Sequence, residues 1–211
     1  MTDTVVPIVH DTPTFQRRFV VVGTRTKATA KFHLHALGDS GGRMDIFVRC
    51  MRAALLVSDG VRRDTLLDLL MLAGEDAPLA LRLNGSTIRF LRPDERRNAI
   101  LLQGALSARH PGTGPEHLAP GFEARPLDLE GLLSWGVFPD LFFLDREGED
   151  VRSATFGPSG ATFVLGDDRG FTPEQRETLV RLHARPLRLG PTDVHTEDAI
   201  TLVHNELDRR L

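Results

Sequence analysis

The sequence predicts an α/β fold on a buried, largely parallel sheet, and three observations carry that expectation. First, the last third repeats one pattern, in which a short apolar strand ends in glycine or an acid, a small-residue loop follows and a helix comes next. The strands are Asp140–Asp145, Ala161–Asp167 and Pro186–Pro191. Second, Arg18-Phe-Val-Val-Val-Gly23 reads as a buried strand, with the apolar run Phe19–Val22 ending at a glycine turn. Third, Ile46, Phe47, Cys50, Met51, Ala54 and Leu55 form one apolar stripe at helical spacing. In such sheets ligands bind beyond the carboxyl ends of the strands, so the glycine-containing turns mark where to look for function.

In chain order, residues 1–16 read as a loose arm, with Pro7 and Pro13 and no periodicity. The strand at Arg18–Gly23 follows, then a polar loop, then Gly41-Gly42 ahead of the striped helix, which Gly60 ends. Thr65–Leu72 is a second buried strand, although a run this apolar also suits a helix. Asn84-Gly85 lies between two apolar runs, Leu79–Leu83 and Ser86–Leu91, and predicts a β-hairpin. Arg92-Pro-Asp-Glu-Arg96 opens a helix to about Ala108, with proline at its start and acids in its first turn. His110–Gly121 is a Pro/Gly connector, and a short helix at Leu127–Val137 carries Trp135. After the three late strands, Ile200–Asp208 reads as a terminal helix.

At 211 residues and 41% hydrophobic, the chain suits one domain with a sizeable core, taken as residues 17–211 behind the arm. No apolar run approaches the roughly 20 residues a bilayer span needs, and Val5–Val9 is too short for a signal peptide. A single cysteine, Cys50, allows no intramolecular disulfide and no Cys-based zinc site. The plain reading is a cytoplasmic protein. Residues 1–100 carry 15 basic and 11 acidic side chains, whereas residues 101–211 carry 11 and 18. An anionic partner therefore suits the first half better than the second, unless the charges only keep a surface soluble.

The turns after the late strands have two readings each. Val164-Leu165-Gly166-Asp167 and Leu189-Gly190-Pro191-Thr192 are ordinary strand ends, or places where backbone meets a flat ligand closely. Neither matches a P-loop or a dinucleotide fingerprint. The eight histidines are scattered without metal-ligand spacing, so no metal site is expected, and no nucleophile motif supports hydrolase chemistry. Asp167-Asp168 and Glu149-Asp150 read as turn or solvated residues. Asp45 and Arg49 are an i,i+4 surface pair or part of a site. Arg43 opposes the helix dipole, so something other than helix stability must hold it at the start of the helix. With Arg62-Arg63 beyond the same helix, these arginines could grip phosphates near one strand end while Asp45 handles a base.

Taken together, Gly42-Arg-Met-Asp45, Arg49-Cys50, Val57–Asp64, Arg92–Arg96, Phe163–Asp167 and His204–Asp208 resemble, in order and spacing, the TrmY-type tRNA pseudouridine N1-methyltransferases. That family is of the SPOUT class, and the likeness covers Arg18 to Asp208. It implies a SPOUT fold with a β-hairpin extension in its N-terminal part and a C-terminal trefoil knot over about 138–211. It also implies a homodimer that transfers methyl from S-adenosylmethionine to N1 of pseudouridine in the tRNA T-loop. Cofactor contacts would fall on Leu144, Gly166, Leu189, Gly190, Pro191, Thr192, Asp193, Val194 and Ala199. Where the family commonly has cysteine just before the terminal helix, this chain has Ala199, which bears on cofactor affinity. Within that resemblance Asp45 orients or deprotonates the base. Arg43 serves beside it, and Arg49, Arg62 and Arg63 hold RNA. The competing readings are a knotted RNA-binding protein without turnover, a methyltransferase of another RNA or small molecule, and an ordinary doubly wound domain.

Overall fold

In the computed structural model of this chain, residues 16–110, 116–136 and 140–210 are described; the expected arm, but for Gln16, lies outside them. Their centre is an eight-stranded sheet in the order β10-β8-β9-β1-β4-β5-β7-β6. The strands are β1 (Arg17–Lys27), β4 (Thr65–Ala73), β5 (Leu79–Asn84), β6 (Glu116–Ala119), β7 (Phe122–Arg125), β8 (Asp140–Asp150), β9 (Ala161–Gly166) and β10 (Arg185–Arg188). From β10 to β4 neighbouring strands pair in parallel, and from β4 to β6 they pair antiparallel. A separate two-stranded ribbon joins β2 (Leu56–Val57) to β3 (Gly60–Val61).

The unbroken apolar run of β1 has a direct physical reason. Phe19 and Val21 enter one core and Val20 and Val22 the other, all without solvent exposure. Side chains alternate along a strand, so a stretch covered on both faces is apolar at successive positions unless a charge there is paired. The larger core is roofed by α2 (Met44–Leu55), α3 (Glu95–Ser107) and α6 (Thr196–Asp208); the smaller by α4 (Leu129–Ser134) and α5 (Pro173–Arg181). The apolar stripe of α2 is buried as its periodicity requires, and a one-turn α1 (Leu37–Ser40) precedes it. Among the described residues no helix is long and apolar enough to cross a membrane.

Beneath the smaller core lies a dry ionic cluster. Arg18 donates to Asp68 at 2.6 Å and Arg82 to the same carboxylate at 2.7 and 2.8 Å. Arg18 Nη1 and Nη2 also reach the carbonyls of Gly136 and Leu132, and Arg82 Nη2 reaches that of Trp135. Three strands and the end of α4 are thereby tied to one buried carboxylate. Burial alone would raise the Asp68 carboxyl, but the two arginines outweigh it and hold it below its usual range.

Several sequence expectations are corrected. Asn84-Gly85 forms no hairpin: β5 pairs with β4 and β7, and Ser86–Leu91 is irregular. The Asn84 side chain instead accepts from Ser86 N at 2.9 Å, while a Cβ on Gly85 would collide with the carbonyl of Arg62 and approach that of Thr65 to 2.7 Å. Glycine is needed there for close backbone passage, not for a primed turn. The hairpin extension is formed by β6 and β7, within what reads as a connector. No helix follows Asp140–Asp145, because β8 continues to Asp150 and a ten-residue loop, opening with a turn at Asp150–Ala154, leads to β9. Helix α2 ends at Leu55, and Gly60 belongs to the β2–β3 ribbon. Trp135 follows α4 as its C-cap, stacked under Arg82 and Arg125 at 3.7 and 4.2 Å.

Candidate active site

At the irregular middle of β8 and the carboxyl ends of β9 and β10, the chain and the starts of α2 and α6 enclose a cleft of about 570 Å³. That volume lies within the range of small-molecule sites. Leu144, Leu165, Leu187, Leu189 and Ala199 give it apolar walls, and Gly166, Gly190, Thr192, Asp193 and Val194 give it loop backbone and polar edges. The β9 loop is held from two directions. Thr196 Oγ1 at the head of α6 donates to the Gly166 carbonyl at 2.9 Å, and the buried Asp167 carboxylate accepts Thr24 N and Arg169 N at 2.9 and 3.0 Å. Across the opening, Asp145 pairs with Arg176 and Asp193 with Arg146.

One rim of the cleft is a chain of alternating charges. Gly42 has φ of +65°, and a Cβ there would strike the carbonyl of Arg25, so α2 starts in contact with the end of β1. Arg43 follows at φ +75° as the N-cap, a left-handed conformation that costs a non-glycine residue energy. Its side chain is held by two carboxylates: Asp45 at 3.0 Å and Asp168 at 2.6 Å. Asp168 also accepts from Arg25 at 2.7 Å. Arg49 donates to Asp45 at 3.0 Å and to Glu197 on α6 at 2.5 Å, and Glu95 on α3 stands 3.9 Å away.

Burial works to raise the Asp45 carboxyl, but hydrogen bonds from Arg43 and Arg49 more than offset it and hold it below the usual carboxylate range. Asp168 is held low in the same way by Arg25 and Arg43. Asp45 is therefore an ionised acceptor at neutral pH and a weak proton acceptor, since efficient general bases titrate near the working pH. Below it, Cys50 is fully buried, and burial pushes its thiol well above the ordinary value. It is core, not a nucleophile. Among the described residues no group of three His, Cys, Asp or Glu side chains could hold a metal ion.

Most of the residues singled out in the sequence come together here. Leu144, Gly166, Leu189, Gly190, Thr192, Asp193, Val194, Ala199, Arg43 and Arg49 all line this one cleft, and Asp45 lies behind its two arginines. Pro191 is exposed in the β10 loop and is not part of the lining. Ala199 lies inside the first turns of α6, not before the helix. The expectation that Arg62 and Arg63 share a strand end with Arg43 is not met. They precede β4 at the amino end of the sheet, where Arg62 pairs with Asp208 and Arg63 donates to the carbonyls of Gly85 and Ser86. Parallel pairing of β1 with β4 puts the cleft at the far end of both strands. Asp167-Asp168, read as turn or solvated residues, do form the turn after β9, and in addition hold the site through Thr24 and through Arg25 and Arg43. Sequence inspection also missed Arg25 and Glu197, which show no local spacing to Asp45 and meet its cluster only through the fold.

A family described as "Putative SAM-dependent RNA methyltransferase" matches residues 16–211. The tRNA (pseudouridine(54)-N(1))-methyltransferase of Methanosarcina mazei is 37% identical over 193 residues, 92% of this chain and 91% of that protein. The protein of the same name from Methanopyrus kandleri is 41% identical over 168 residues, covering 79% and 80%. Among solved structures, Archaeoglobus fulgidus Nep1 bound to S-adenosylhomocysteine superposes with a TM-score of 0.61 at 16% identity, covering 92% of this chain and 98% of that one. At that identity the likeness concerns the fold alone.

Proposed function

The chain belongs to this family of S-adenosylmethionine-dependent RNA methyltransferases, and from that premise we propose that it methylates N1 of pseudouridine in the T-loop of tRNA. The relatives' names supply the substrate, and the observation that carries the reading is the cleft itself. One set of loops offers apolar walls and backbone groups for a nucleoside, beside a rim of arginines around an ionised Asp45.

The cleft's donor set fits S-adenosylmethionine. Leu144, Leu165, Leu189 and Ala199 would sandwich a flat base, Gly166 and Gly190 to Val194 would present backbone groups to its edges, and Asp145 or Asp193 would meet hydroxyl or ammonium groups. When bound, that cofactor supplies a methyl group already activated on sulfonium sulfur, so no metal is called for. The protein's part is alignment. Asp45 accepts a hydrogen bond from the base and turns its nitrogen toward the cleft. Arg43 and Arg49 hold Asp45 in place and offer charge to the base oxygens. Transfer would break the sulfur–methyl bond as the N–C bond forms, and the proton the nitrogen gives up would pass to water, because a carboxylate held this low does not keep it.

We further read residues 17–211 as one domain whose part from about residue 138 is a trefoil knot. The path from edge strand β10 back through α6 to α2 at the middle of the sheet favours it. A homodimer and a cytoplasmic location complete the reading; partly exposed Leu202 on α6 suits a partner surface. The test is mass spectrometry of nucleosides from a pseudouridine-containing tRNA incubated with protein and S-adenosylmethionine, and N1-methylpseudouridine is the expected product. Cofactor binding without any methylated nucleoside would leave an RNA-binding protein without turnover. A methyl group on another nucleoside would move the substrate.

A further inference from the structure

Outside the cleft, the segment between β5 and α3 displays an aromatic ring that packing does not explain. Phe90 is 72% exposed, the most exposed large apolar side chain among the described residues. Its φ is +66°, a conformation that a bulky non-glycine residue holds only when its surroundings impose it. Those surroundings are firm. Ile88 is 1% exposed and packed against Gly121 in the β6–β7 turn, and Leu91 is 7% exposed. Arg92 is clamped by buried Asn98, which accepts from its N–H at 3.0 Å and donates to its carbonyl at 2.7 Å. Asn84 fixes the start of the segment through Ser86. With Ile88 and Leu91 anchored inward, the left-handed turn at residue 90 sends the ring out to solvent. The pedestal is rigid and the ring on it touches little.

The charge around the ring is mostly positive, four arginines against Asp94, which caps α3, and Glu95, which faces Arg49. Arg89, Arg92, Arg96 and Arg97 are exposed, and none forms a side-chain ion pair among the described residues. Arg63 joins them, holding the carbonyls of Gly85 and Ser86 at 3.0 and 3.2 Å. Arg25, Arg43 and Arg49 of the cleft rim, by contrast, are each paired. Free arginines around an exposed aromatic ring are what single-stranded nucleic acid calls for: a plane for a base and cations for the phosphates on either side. An interface with an acidic protein would use the cations and leave the ring unexplained.

We infer that Phe90, with Arg89, Arg92, Arg96 and Arg63, is a docking point for an unpaired base of the RNA substrate. This rests on the RNA reading above and extends it to a surface outside the reaction centre. Glu95, five residues on, stands 3.9 Å from Arg49 of the cleft rim, and five residues span at most about 18 Å. An RNA loop with one nucleotide in the cleft can therefore lay a neighbouring stretch across this surface.

The experiment measures binding apart from turnover. Fluorescence anisotropy of a labelled T-arm RNA hairpin is titrated with wild type, Phe90→Ala, Phe90→Gly and Phe90→Trp, and each variant's melting temperature is recorded. Loss of one stacked base should weaken binding roughly ten-fold in the Ala and Gly proteins. Phe90→Trp should bind as wild type does. Phe90→Gly, free of the strain, should melt no lower than wild type, so that its weak binding is not a folding defect. In Arg89→Gln/Arg92→Gln the slope of log affinity against log salt should flatten by about 0.7 to 0.9 for each phosphate that is no longer neutralised. Unchanged affinity in both Ala and Gly proteins overturns the inference, as does loss of affinity only in step with loss of oligomer mass. A wild type that binds this RNA through Phe90 but methylates nothing would sink the catalytic reading and leave this one standing.

Discussion

The protein builds two arginine–carboxylate clusters from the same chemistry and uses them for opposite ends. Under the sheet, Arg18, Asp68 and Arg82 are buried, and both guanidinium groups bond backbone carbonyls as well as the shared carboxylate. At the cleft, Arg25, Asp168, Arg43, Asp45, Arg49 and Glu197 form a longer chain open to solvent along one side. A buried pair is worth most through what breaking it costs, because the stranded partner cannot be rehydrated. An open pair contributes little to stability, and its partners can be exchanged for a substrate. Solvent access separates scaffold from site here; charge and residue type do not.

The comparison breaks most readily at Asp68. Asp68→Ala strands two buried arginines and should destabilise the fold by about 3–5 kcal/mol, read by denaturant unfolding. A cost near zero would mean that water reaches this cluster and that the contrast is false. Next comes Asp45→Asn, which leaves the carboxamide in place but removes the charge that Arg43 and Arg49 hold. Methyl transfer should fall by roughly 10²-fold or more while cofactor affinity and melting temperature stay near wild type. Turnover equal to wild type would take Asp45 out of the mechanism.

A third cluster, at the amino end of the sheet, is intermediate in burial and sharpens the contrast through pH. His204 lies between Arg17 at 2.9 Å and the Ala54 carbonyl at 3.0 Å. Burial first, and then the charges of Arg62 and Arg17, push its pKa down to about 3. The unfolded chain takes up a proton near pH 6.5 and the folded chain does not. Stability is therefore lost as pH falls from about 6.5 toward 3, with a slope approaching 1.4 kcal/mol per pH unit. Thermal melts between pH 7 and 4 should show that slope, and His204→Gln should flatten it. An unchanged slope in the variant would assign the acid sensitivity elsewhere. The smallest effect belongs to Arg25→Gln at the cleft rim. Its pairing with Asp168 is partly exposed, so the loss should stay below about 1 kcal/mol and shrink further in high salt.

Much of this fold is legible in the sequence because period and position agree. The β1 run, the α2 stripe and the late strands declare themselves through burial on two faces or one, and the glycine turns after them do mark the cleft. The errors have a common cause. Asn84-Gly85 carries a hairpin signal in local terms, but Gly85 is required by the passing carbonyls of Arg62 and Thr65, which no local window contains. The strand at Glu116–Ala119 is too short and polar to stand out, and it forms because β7 offers an edge. Around the site, Arg43 and Asp45 are visible as misfits at a helix start. Asp168 and Glu197 are not, since they lie far along the chain from the arginines they hold and are brought to the rim by β9 and α6.

The position of β1 in the sheet also sets a schedule. Its two neighbours are β4 and β9, and the second of these leaves the ribosome roughly 140 residues after it, some 7 to 30 seconds at ordinary rates of translation. Through that interval one edge of a strand with the apolar centre Phe19–Val22 has no lasting partner, which is the form most prone to pair with a neighbouring copy. Nascent chains stalled before Ala161 should therefore be the species that chaperones hold and that aggregates collect.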